Sequence, residues 1–163
     1  MTRILSALIL LVMIAACGKT DSPSLNCSEV TTKAISVETD SLQRYIDSNH
    51  IVATKDARGF FYHIDSATAG AKPNVCNTIT VAYKGYLLNG VIFDQNTNAS
   101  FILNNLIISW KEGLPLVGAG SSITIYSPPS LAYGSDQVKD RDGNVIIPAN
   151  SYLKFVLTLN AVN

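Results

Sequence analysis

Aromatic side chains recur in a polar, glycine-containing setting through the second half of the chain, and they are the residues best suited to form a chemical site. Four blocks carry them: V-A-Y-K-G-Y-L-L-N-G-V-I-F-D (Val81 to Asp94), I-I-S-W-K-E-G-L (Ile107 to Leu114), P-P-S-L-A-Y-G (Pro128 to Gly134) and I-I-P-A-N-S-Y-L-K-F (Ile146 to Phe155). Large rings beside hydroxyl and carboxylate groups suit the binding of an apolar group with a few hydrogen bonds. His50 and His63 have no partners at catalytic or metal-ligand spacing, and there is no C-x-x-C pair.

In this order, the four blocks resemble the FKBP-type peptidyl-prolyl cis-trans isomerases. The resemblance covers about half of the chain, and its specificity lies in the combination of blocks. It implies catalysis of X-Pro isomerisation, which is slow because the barrier is about 18 to 20 kcal/mol. Lowering that barrier needs a dry aromatic pocket for the proline ring and donors for the neighbouring carbonyls. No cofactor or metal is expected.

The resemblance also implies which residues form the site. The substrate pocket would be lined by Tyr83, Phe93, Leu106, Ile107, Trp110, Ile147 and Phe155. The expected catalytic residues are Tyr133, whose hydroxyl would donate to a substrate carbonyl, and Asp94, which would be the polar wall residue. Taken singly, each aromatic residue is explained by ordinary core packing, and Asp94 by a loop cap or a salt bridge. Their joint occurrence favours the pocket.

Some positions depart from the family pattern. Ser109 stands where glycine usually precedes the tryptophan, Ala149 replaces the second proline after Ile147, and Pro115 lies inside a predicted helix, where it removes a backbone donor. The segment 95–100 lacks the basic residue often found there. These departures support an alternative to the enzyme: a non-catalytic proline-segment binding module or chaperone lipoprotein with the same fold. A structural envelope lipoprotein with a vestigial pocket is the third hypothesis.

The first residues are typical of a secretory signal. Arg3 precedes an apolar run from Ile4 to Ala16, which is too short for a bilayer core that needs roughly 20 residues. The small residues before Cys17 look like a bacterial lipobox, so we expect a signal peptide at 1–16, lipidation of Cys17 and a lipid-anchored tether at 17–35. A buried N-terminal helix is the alternative. The expected location is the bacterial cell envelope, facing the periplasm.

Composition limits the partners. Twelve Lys and Arg balance twelve Asp and Glu without a basic cluster, which argues against nucleic acid. The expected partners are proline-containing polypeptides and, through Cys17, the membrane; the protein is expected to be a monomer.

The chain has three cysteines, and if Cys17 is acylated the other two remain as a pair. Cys27 and Cys76 would then form a disulfide in an oxidising compartment, worth about 4 kcal/mol by loop entropy. The alternative is two free buried thiols.

The periodicity predicts an α+β domain. Leu42, Tyr45 and Ile46 indicate a short amphipathic helix within 36–49, and a second helix is expected at about 108–117. Alternating residues predict strands at 79–87, 122–126 and 153–159. The resemblance implies a curved antiparallel sheet wrapped around one short helix at 76–163, after an N-terminal helix and strand extension at 36–75. The acidic segment 140–144 is interpreted as a hairpin turn rather than a calcium loop.

Overall fold

The computed structural model describes residues 31–163. The predicted signal peptide, Cys17, Cys27 and most of the 17–35 tether lie outside the described residues. This part of the chain contains two α-helices, α1 (Ser36–Ser48) and α2 (Ile108–Gly113). Its strands are β1 (Thr54–Lys55), β2 (Phe61–Ser66), β3 (Thr78–Leu87), β4 (Ile92–Ile102), β5 (Ser122–Ser127), β6 (Val138–Lys139), β7 (Val145–Ile147) and β8 (Leu153–Val162). Short 3-10 turns lie at Leu103–Asn105, Leu114–Leu116 and Pro129–Leu131.

Six strands form one antiparallel sheet in the order β1-β2-β5-β8-β3-β4. The predicted alternation is confirmed in β8, where the residues at every second position from Leu153 to Leu159 are buried. The predicted α+β class is likewise confirmed, since α2 packs on this sheet. Because β2 pairs with β5, the strand of the N-terminal extension belongs to the same sheet as β3, β4 and β8.

The main core lies between α2 and the inner face of the sheet. Trp110 and Leu114 pack there against Ile125, Phe155 and Leu157, among other apolar residues. Gly113 lets α2 approach closely, because a Cβ at that position would lie 2.4 Å from Cδ1 of Ile125. This contact fixes the helix that carries the tryptophan against β5.

The helix α1 packs on the opposite face of the sheet. Its Leu42 and Ile46 form a second buried cluster with Phe61 of β2 and Tyr126 of β5, which lie opposite each other in the sheet. Successive residues of a strand point to opposite faces, so Tyr126 contacts α1 while Ile125 contacts the main core. The sheet is therefore held between two helices.

The second helix is shorter than expected. The α-helical segment ends at Gly113 rather than near Val117, and a 3-10 turn follows at Leu114–Leu116. Pro115 is the physical reason, because it has no N–H to continue the helix and its ring clashes with the preceding turn.

The acidic segment after β6 forms the predicted hairpin. The strands β6 and β7 pair antiparallel, and Gly143 has φ +87° in the turn between them. The Asp140 carboxylate accepts hydrogen bonds from the side chain and backbone N–H of Asn144, at 3.0 and 2.9 Å. The Asn144 side-chain bond is the main cause that lowers the pKa of Asp140. This carboxylate therefore stabilises the turn.

Candidate active site

An aromatic cage centres on Trp110 of α2. The Trp110 ring makes edge-on contacts with Phe155 of β8, at 5.3 Å between centroids, and with Tyr83 of β3, at 5.4 Å. Phe101 of β4 lies 6.4 Å from the Trp110 centroid, and Phe93 of β4 lies 5.9 Å from that of Phe155. Edge-to-face pairs at these distances stabilise one another beyond simple burial. The cage is thus built by three strands and one helix.

The cage encloses a cavity of about 180 Å³. The residues around it are Tyr83, Phe93, Asp94, Phe101, Leu106, Ile107, Trp110, Tyr133 and Phe155. Three of these nine side chains carry a hydroxyl or a carboxylate: Tyr83, Asp94 and Tyr133. The other six are aliphatic side chains or aromatic rings without a hydroxyl. Such a cavity suits a small apolar ring flanked by hydrogen-bonding groups.

Gly85 makes room for one wall of the cage. A Cβ at Gly85 would lie 2.5 Å from Cζ and 2.6 Å from Cε2 of Phe93, much closer than carbon atoms approach. Gly85 pairs with Asp94 on β4 and with Phe155 on β8. The Phe93 ring can therefore occupy its place next to β3 only because position 85 has no side chain.

The polar rim contains a tyrosine–carboxylate pair. The Tyr83 hydroxyl donates a 2.7 Å hydrogen bond to Oδ2 of Asp94. Burial raises the pKa of Tyr83 well above its ordinary value, and the hydrogen bond and charge of Asp94 raise it further. The Tyr83 phenol therefore stays protonated at neutral pH and holds Asp94 at the edge of the cavity.

The second rim tyrosine is Tyr133, which follows the 3-10 turn at Pro129–Leu131. Tyr133 is 38% exposed, and among residues 31–163 its hydroxyl makes no hydrogen bond. Burial, and then the charge of Asp94, raise the pKa of Tyr133. Its hydroxyl therefore keeps its proton at neutral pH and can donate a hydrogen bond to a bound carbonyl.

Two buried polar atoms of α2 have no hydrogen-bond partners among the described residues: Oγ of Ser109 and Nε1 of Trp110. An unpaired buried polar group costs about 1 to 3 kcal/mol. Ser109 is fully buried at the position where the family pattern has glycine. This departure therefore places a buried hydroxyl without a described hydrogen-bond partner on α2, one residue before Trp110.

The structure brings together eight of the nine residues predicted for the site: Tyr83, Phe93, Asp94, Leu106, Ile107, Trp110, Tyr133 and Phe155. Ile147 of β7 is not among the cavity residues; it is buried in the main core. Phe101 also lines the cavity, but it was not predicted from the sequence. The feature from which Phe101 could have been predicted is its position in β4, the strand that also contains Phe93. In the described residues, no group of three or more His, Cys, Asp or Glu could hold a metal ion.

The antiparallel sheet closes an aromatic cavity against a short helix, an arrangement that suits a small apolar ring. The model of the FKBP-type peptidyl-prolyl cis-trans isomerase family matches residues 70–160, more than half of the chain. This protein therefore belongs to the FKBP-type peptidyl-prolyl cis-trans isomerase family.

Relatives and solved structures agree with this assignment. The chain is 38% identical over 109 residues to an FKBP-type isomerase FkpA of Buchnera aphidicola, a match that covers 64% of this chain and 43% of the relative. It is 39% identical over 84 residues to a Legionella longbeachae protein named outer membrane protein MIP, covering 49% and 36% of the two chains. The crystal structure of FkpA from Escherichia coli superposes with a TM-score of 0.66 at 30% identity, covering 78% of this chain and 60% of that chain. These matches span less than half the length of both curated relatives.

Proposed function

We propose that this protein is a peptidyl-prolyl cis-trans isomerase. The observation that carries the proposal is the aromatic cavity around Trp110 with the hydroxyls of Tyr83 and Tyr133 at its rim. The cage receives the proline ring and excludes water from it. Tyr133 donates to a carbonyl flanking the proline, while the Tyr83–Asp94 pair forms the polar wall.

The energetic requirement is modest. No covalent bond is made or broken, and the barrier is rotation about an amide of about 18 to 20 kcal/mol. Acceleration by about 10⁴-fold requires roughly 5.5 kcal/mol of preferential stabilisation of the twisted amide. Desolvation of the amide and one or two oriented hydrogen bonds supply energies of this size.

The direct test is a kinetic assay on a short X-Pro peptide with the purified protein. We expect the cis-to-trans rate to rise in proportion to protein concentration. A rate equal to the uncatalysed reaction at all protein concentrations would overturn the proposal.

Loss of the Tyr133 hydroxyl should lower activity moderately. One hydrogen bond contributes about 1 to 2 kcal/mol, so we expect Tyr133→Phe to lower kcat/KM by about 5- to 30-fold. The matched control is Tyr45→Phe, which removes a hydroxyl that bonds the Leu88 carbonyl at 3.2 Å on the other face of the sheet. Equal kcat/KM for Tyr133→Phe and the wild type would show that this hydroxyl does not contact the reacting amide.

The second candidate function is a module that binds proline-containing segments without isomerising them. It is favoured by the buried Ser109 hydroxyl, which has no hydrogen-bond partner among the described residues, and by the early end of α2 before Pro115. The same assay separates the candidates, because a binding module would bind the peptide and leave its isomerisation rate unchanged.

We also propose that the protein acts on exported polypeptides from a lipid anchor at Cys17, in the bacterial cell envelope on the periplasmic side. The proposal is supported by the apolar segment and small residues before Cys17, and by a relative named as an outer membrane protein. Within residues 31–163, neither helix is long and apolar enough to cross a membrane. The same proposal includes a monomeric protein with a signal peptide at 1–16, a tether at 17–35, an N-terminal extension at 36–75 and the isomerase domain at 76–163.

A disulfide between Cys27 and Cys76 would shorten the tether. Cys76 lies just before β3 and its sulfur is not free, which supports the pairing. The remaining tether, 18–26, would then reach at most about 30 Å and keep the domain close to the bilayer. Mass spectrometry of the non-reduced, proteolysed protein should detect a linked Cys27–Cys76 peptide. Alkylatable thiols at both positions would contradict this.

A further inference from the structure

A carboxylate on α1 contacts the segment that carries Tyr133. Oε2 of Glu38 accepts two hydrogen bonds from Ser130, one from its backbone N–H at 3.1 Å and one from its hydroxyl at 2.5 Å. Both partners are partly buried and lie 92 positions apart in sequence. Hydrogen bonds to a charged acceptor are about twice as strong as neutral ones. This contact therefore joins two distant elements firmly.

Ser130 and Tyr133 belong to one tightly bonded turn. The Pro129 carbonyl accepts the backbone N–H of Ala132 at 2.9 Å and that of Gly134 at 2.8 Å. These bonds enclose Tyr133 on both sides, so a displacement of Ser130 is passed to the Tyr133 backbone.

The other end of the contact is fixed to the sheet. The α1 residues Leu42 and Ile46 are almost fully buried against Phe61 and Tyr126. Glu38 therefore holds the turn relative to the sheet that supplies the aromatic cage. It also lies outside residues 70–160, the part matched by the family model.

We propose that Glu38 is a positioning residue, which sets the distance of the Tyr133 hydroxyl from the cavity by anchoring Ser130. This inference rests on the proposed isomerase function. The competing explanation is that Glu38 only stabilises the turn at Pro129–Leu131 and has no influence on the Tyr133 hydroxyl.

The first experiment compares variants at position 38 in the peptide assay. We expect Glu38→Ala to lower kcat by about 5- to 10-fold, the equivalent of roughly one hydrogen bond, with KM little changed because the aromatic cage is intact. Glu38→Gln keeps an acceptor oxygen and should restore most of the activity. The matched control is Asp40→Ala, which removes an exposed acid from the same helix and should leave kcat unchanged.

The second experiment repeats the substitution in a Tyr133→Phe background. If Glu38 acts through the Tyr133 hydroxyl, Glu38→Ala should lower kcat no further there. An equal fold-loss in both backgrounds would overturn the proposal. If Glu38→Ala fails to fold, Ser130→Ala is used instead of Glu38→Ala in both backgrounds. Ser130→Ala removes the shorter of the two hydrogen bonds.

A third readout does not depend on catalysis. Native-state hydrogen exchange of the Ala132 and Gly134 amides should be faster in Glu38→Ala than in the wild type, relative to amides in β8. Unchanged exchange at both amides would overturn the positioning role even if the protein is active. An inactive wild type would instead overturn the proposed function, and the exchange rates would still decide whether Glu38 holds the turn.

Discussion

Replacement of Phe155 by alanine is expected to abolish binding of proline peptides as well as isomerisation. Phe155 is 3% exposed and lies against both Trp110 and Phe93, so its removal opens the cage on two sides. Truncation of a buried phenylalanine also costs about 3 to 5 kcal/mol of folding free energy. Peptide binding can be followed by the fluorescence of Trp110, the one tryptophan of the chain.

The control for this variant must separate lost stability from a lost pocket. Tyr126→Ala removes a buried aromatic ring from the α1 cluster on the other face of the sheet. We expect it to lower the free energy of unfolding by a similar amount while KM stays near the wild-type value. Wild-type peptide affinity in a folded Phe155→Ala variant would show that the peptide binds elsewhere.

The second large effect is expected at Gly85. Alanine there would place its Cβ against the ring of Phe93, which lines the cavity and would have to move. We expect Gly85→Ala to raise KM by about tenfold or more, since about 1.4 kcal/mol of lost binding suffices for that change. Overpacking of this kind costs about 1 to 3 kcal/mol of folding free energy.

The matched control is Gly90→Ala in the turn between β3 and β4. Gly90 has φ +91° and nothing within 4 Å of its missing Cβ, so alanine there is strained but does not touch the cage. It should lower the melting temperature and leave KM unchanged. A KM increase in Gly90→Ala equal to that in Gly85→Ala would contradict a specific effect through Phe93.

Most of the cavity residues could be predicted from the sequence because they lie in segments whose local patterns also predict the secondary structure. Trp110, Tyr133 and Phe155 each lie in a block whose glycines, prolines and alternation already predict a helix, a turn or a strand. Their grouping follows once the sheet order is known, since β3 lies between β4 and β8.

The contacts that could not be predicted from the sequence are made between segments far apart in the chain or depend on how the strands pair. Phe101 reaches the cage because β4 pairs with β3 over its whole length, with Phe101 opposite Ile79. Glu38 meets Ser130 only because α1 packs across β2 and β5. Periodicity identified α1 as an amphipathic helix, but it carries no information on which face of the sheet the helix covers.

Exchange NMR of a short X-Pro peptide, with protein at a small fraction of the peptide concentration, tests the central claim most directly. Cross-peaks between the cis and trans forms measure the rate of isomerisation. Shifts of the peptide resonances measure binding to the protein. The proposed function predicts cross-peaks on the timescale of seconds or faster, at an unchanged cis-to-trans ratio, and their loss in Phe155→Ala. Shifted peptide resonances without any exchange cross-peaks would contradict it and indicate a binding module.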